Sequence, residues 1–106
     1  MNIVFYSYTK SKYSHVNDHE MKRFDHSIST LRDFNDEIPV YLFCDDFSII
    51  PSHFSDEYNV IVLPFEDQPT HGMVFIYRWF NLQYFQDGEG TFVDANILYV
   101  DSDTIF

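Results

Sequence analysis

Apolar positions along this chain fall into four short runs and two longer periodic stretches. Ile3–Tyr8, Val40–Cys44, Asn59–Leu63 and Ile97–Val100 are rich in Ile, Val, Tyr and Phe, as strands are. Between the first two, Met21, Phe24, Ile28, Leu31 and Phe34 recur at three and four, which predicts a helix over Asp18–Phe34. Asn17 or Asp18 is the expected cap, and Asp33-Phe34-Asn35-Asp36 the expected close. A second helix is expected over His71–Gln86, apolar on most of its sides. Phe47–Asp56 reads as a loop or short helical turn, and Gln86–Gly90 as turn chemistry. The order β-α-β-loop-β-α-β predicts an α/β fold with an open, mainly parallel sheet flanked by helices.

The last ten residues carry the candidate chemistry. Ile97–Val100 is expected to be a strand buried on both faces, and it delivers Asp101 and Asp103 with Ser102 between them. On an extended backbone a spacing of two puts both carboxylates on one face, where their repulsion favours a cation between them. Oxygen ligands suit Mn²⁺ or Mg²⁺, and an open α/β sheet takes its ligands at the carboxyl ends of its strands. The competing reading is an Asp-Ser-Asp turn whose side chains cap backbone N–H groups.

At 106 residues the chain suits one domain with one core. A formal net charge of -11, from 17 acidic and 6 basic residues, lacks the basic footprint of a nucleic-acid surface. An anionic ligand on such a chain calls for a metal or a local cation. The lone cysteine, Cys44, sits in an apolar run and reads as a buried small hydrophobe. The chain has no apolar stretch long enough to be a transmembrane segment and no secretory leader pattern, so a cytoplasmic location is expected.

Other candidates are weaker. His15 and His19 have i, i+4 spacing but no third zinc ligand in sequence. Asp45-Asp46 reads first as a loop cap, and Lys10 and Lys12 as a solvated loop. A haloacid-dehalogenase phosphohydrolase also uses D-x-D after a buried strand. That group wants Thr or Val at the fifth position and the motif near the start; here Ile105 stands fifth and the motif is last.

"ILYVDSDTIF", preceded by "YRWFNLQYF" and, more loosely, "IPVYLFCDD" after "LRDFN", resembles the nucleotide-sugar glycosyltransferases of Rossmann-like GT-A fold, the family 8 type in particular. The likeness is close over the final ten residues and holds in outline over all 106. It implies a donor-binding domain over 1–106, cut after the D-x-D motif, with the acceptor-binding half and a later metal-ligating His not included. Such a piece alone is expected to be inactive. It further implies a divalent cation, Mn²⁺ or Mg²⁺, on Asp101 and Asp103. A nucleotide-sugar donor, UDP-linked for preference, would meet Ser7, Tyr8, Thr9, Tyr13, Arg78 and Ser102. Tyr8 or Tyr13 would stack on the base, and Arg78 would meet the diphosphate. In place of the acidic residue usual after the first strand stand Tyr8-Thr9-Lys10. The acceptor is not specified. The alternative is a non-catalytic α/β module that binds a nucleotide or a partner without turnover.

Overall fold

The computed structural model describes residues 2–64, 81–91 and 93–106. Four strands, β1 (Asn2–Tyr8), β2 (Val40–Cys44), β3 (Val60–Pro64) and β4 (Asn96–Tyr99), form one parallel sheet in the order β3-β2-β1-β4. Helix α1 (Ser14–Phe34) joins β1 to β2, and the short helix α2 (His53–Asp56) precedes β3. The α/β class and the parallel sheet are as the sequence pattern predicts.

The sheet has a different core strand from the one expected. β1 is central and buried along Ile3, Val4, Phe5, Tyr6 and Tyr8. β4 lies at the sheet's edge among the described residues, and Leu98 is 54% exposed. An edge strand has one neighbour to share burial with, and here only Val100, just past its end, is fully inside.

Two cores follow from the alternation of side chains along the strands. On one face Val4, Tyr6, Tyr8, Val40 and Leu42 pack against Met21, Phe24, Ile28 and Leu31 of α1. Phe24 meets the Tyr6 and Tyr8 rings edge-on, at 5.6 and 5.4 Å between centroids. On the other face Ile3, Phe5 and Phe43 pack with Phe85 and Leu82.

Helix α1 starts at Ser14, four residues ahead of the expected start at Asp18, with Tyr13 rather than Asn17 or Asp18 at the cap position. Asn17 is the reason. It is buried, accepts hydrogen bonds from the Tyr8 hydroxyl and the Ser11 N–H (2.9 Å), and donates to the Ser11 carbonyl (2.9 Å). A polar residue thus does a core residue's work and extends the helix backwards. At the far end Arg32 donates to the carbonyls of Tyr58 and Ile38, both at 2.7 Å, tying the helix to the entries of β3 and β2. Of the expected helix over 71–86, positions 71–80 lie outside the described residues, as does Arg78; Asn81-Leu82 are helical and run into a 3₁₀ turn at Gln83–Phe85. No described helix is long and apolar enough to cross a membrane.

Candidate functional site

The strand order places a crevice beside β1. From β1 the chain steps outward to β2 and β3, then returns to the opposite side of β1 as β4. The strand order thus reverses direction at β1, a topological switch point, with the carboxyl ends of β1 and β4 side by side. Register sharpens this. The last β4 pair is Phe5↔Tyr99, followed by Val100 N–H to the Phe5 carbonyl at 3.0 Å, so β1 loses its β4 neighbour before Ser7 and Tyr8, which stay paired with Phe43 and Cys44 of β2.

A cleft of about 420 Å³ occupies this crevice. Ser7, Tyr8 and Thr9 from the end of β1, and Asp101, Ser102 and Asp103 from beyond β4, line it together with Glu20 and Arg23 of α1. Six of the eight residues singled out in sequence thus meet in one place. Tyr13 stands outside the lining, its ring 54% exposed with the Lys12 ammonium 5.2 Å from the ring centre. Arg78 lies outside the described residues.

The acidic motif is not a strand extension. Thr104 N–H bonds the Asp101 carbonyl at 3.1 Å, closing a turn with Ser102 and Asp103 at its centre. Ser and Asp favour such turns through their short polar side chains, and this overrides the strand periodicity expected for the pair. Yet neither carboxylate caps backbone. Both are exposed, and among the described residues neither accepts a hydrogen bond or ion pair.

Ser102 does the anchoring instead. Its hydroxyl donates to Glu20 Oε2 at 3.0 Å, and Glu20 Oε1 meets Arg23 at 3.3 Å. Sequence reading missed Glu20 and Arg23. Each directly precedes a member of the α1 core stripe, Met21 and Phe24, and so sits on the stripe's flank, facing whatever borders the sheet's carboxyl end.

The β1 end forms a fixed wall. Ser7 Oγ accepts from Asn81 Nδ2 at 2.7 Å. The Tyr8 ring is buried against Phe24 and its hydroxyl is held by Asn17; burial pushes its pKa up to about 12. It offers no free face for a base to stack on. The Thr9 hydroxyl is shielded from solvent with no partner among the described residues.

Behind the cleft, the loops after β1 and β2 are stapled together. Lys10 donates its N–H to Asp45 and its ammonium to Asp46, both at 2.8 Å. Asp46 also accepts from the Ser48 N–H and hydroxyl, as its expected role as a loop cap requires. The Lys10 ammonium and then Ser48 hold the Asp46 carboxyl below the usual carboxylate range.

The carboxylates of Asp101 and Asp103 are oxygen donors of the kind a hard divalent ion takes. Among the described residues no group of three or more His, Cys, Asp or Glu stands together as a metal cage. A divalent ion on the pair alone would have to take its remaining ligands from water and a bound molecule. No family model, curated protein or solved structure matches the chain.

Proposed function

We propose that this domain binds a nucleotide-diphosphate sugar, UDP-linked for preference, with Mn²⁺ or Mg²⁺ at Asp101 and Asp103, as the donor-binding part of a glycosyltransferase. The observation that carries the reading is the meeting of the acidic turn with Ser7, Tyr8 and Thr9 at the switch point between β1 and β4. Two exposed carboxylates without protein partners among the described residues make a local negative field that a cation relieves. A divalent ion there supplies charge neutralisation for a departing diphosphate.

The chain's own residues then have distinct tasks. Asp101 and Asp103 hold the ion, and Ser102 fixes the turn that carries them. Ser7 and Thr9 line the side of the cleft proposed for the nucleoside, with Tyr8 as the rigid wall between them. Tyr13, at the mouth of α1, and Arg78 keep the base-stacking and diphosphate roles implied by the sequence resemblance. Transfer to an acceptor hydroxyl completes the proposed reaction, with no acceptor specified.

Equilibrium dialysis of labelled UDP tests the reading. Retention by the chain in Mn²⁺ that is lost on adding a chelator is the expected result. Retention indifferent to the chelator, or none at all, contradicts it.

A further inference from the structure

Arg23 is the one basic side chain lining the cleft among the described residues, against three carboxylates, Glu20, Asp101 and Asp103. In a chain of net charge -11, a lone cation at the switch point is an uneven placement that bears on what enters. Its side chain is 48% exposed and spends one nitrogen, Nη1, on Glu20 at 3.3 Å. The other N–H groups of the fork make no hydrogen bond among the described residues. A guanidinium held at one corner keeps donors free for oxygens of an anion, which is how Arg meets phosphate.

Glu20 is what gives this position its meaning. The same carboxylate takes the Ser102 hydroxyl on one oxygen and Arg23 on the other. It therefore ties the turn bearing Asp101 and Asp103 to the one basic side chain of the lining among the described residues, the Ser102 bond spanning 82 residues of chain. An ion on the aspartates and a guanidinium beside them form a two-point grip for a group rich in oxygen and negative charge. Resting on the reading given above, we propose that Arg23, seated by Glu20, contacts the phosphate oxygens of the ligand directly, and that the cleft takes a diphosphate in preference to the bare nucleoside.

Calorimetry on the full chain with three probes, Mn²⁺·UDP, Mn²⁺·pyrophosphate and uridine, separates the possibilities. Arg23→Ala is expected to weaken UDP and pyrophosphate about tenfold, the scale of a charge-assisted hydrogen bond, while uridine binding stays the same. Arg23→Lys is expected to restore part of the loss. Glu20→Gln, which keeps an acceptor for Ser102, is expected to weaken UDP less than Glu20→Ala. Circular dichroism of each variant reports whether α1 is intact. UDP affinity unchanged in Arg23→Ala, with Asp101→Asn still abolishing binding, overturns the Arg23 assignment alone. Failure of the unaltered chain to bind either UDP or pyrophosphate overturns it together with the donor-binding reading.

Discussion

Ser102 and Glu20, 82 residues apart, share a hydrogen bond of 3.0 Å that fastens the chain's acidic turn to its first helix. The bond leaves the two aspartates on either side of Ser102 free of protein partners among the described residues. The serine in the motif is thus a structural pin, and the carboxylates on either side of it stay exposed at the cleft.

Removing that pin should be felt in binding more than in folding. Ser102→Ala deletes one partly buried hydrogen bond, worth about 1 kcal/mol in the urea unfolding free energy. Affinity for Mn²⁺·UDP should fall in the same variant because the turn is no longer fixed. Affinity equal to that of the unaltered chain would show that the turn holds its shape without Glu20.

The Lys10–Asp46 staple makes an acid-side prediction. Asp46 has its folded-state pKa depressed, first by Lys10 and then by Ser48. Its contribution is therefore present above the unfolded value of about 3.9 and is lost as pH falls below it. Urea midpoints measured between pH 6 and pH 3 should drop less steeply in Asp46→Asn than in the unaltered chain. Parallel slopes would contradict the staple.

At the alkaline end the sign reverses. Burial raises the Tyr8 pKa to about 12 and raises that of Tyr6 as well, while an unfolded tyrosine ionises near pH 10. Their stabilisation is complete below about pH 10 and disappears as pH climbs from there toward 12. Tyr8→Phe should cost about 1 kcal/mol at neutral pH through the lost bond to Asn17, yet flatten the alkaline loss of stability. Tyrosinate absorbance at 295 nm, followed against unfolding, checks both.

Cys44 is fully buried and its thiol is pushed up to about 11 by that burial. Alkylation by iodoacetamide at pH 8 should be slow in the folded chain and fast in urea, because the thiolate is the nucleophile. Equal rates would place Cys44 outside the core.

How much of this was legible in sequence depends on which signal each feature left. All four strands were readable from apolar runs, and β2 within its observed bounds. The rank of the strands was not, because parallel strands read alike, and burial on both faces belongs to β1 only through the order β3-β2-β1-β4. The start of α1 hid behind Asn17, whose burial depends on Tyr8 and Ser11 and leaves no apolar mark. The acidic motif was legible as residues but not as geometry, since the Ser-Asp pair turns the chain where strand periodicity would have kept it straight. Glu20 and Arg23 were overlooked because a charge beside a core stripe looks like any solvated helix flank until β4 is set next to β1.

The central claim is that Asp101 and Asp103 hold a divalent ion that in turn holds a nucleoside diphosphate. Isothermal titration of Mn²⁺ and UDP into the unaltered chain and into Asp101→Asn and Asp103→Asn tests it most directly. Metal-dependent UDP binding in the first, lost in both variants with the circular dichroism spectrum unchanged, is the predicted result; unchanged affinity in both variants would contradict the account.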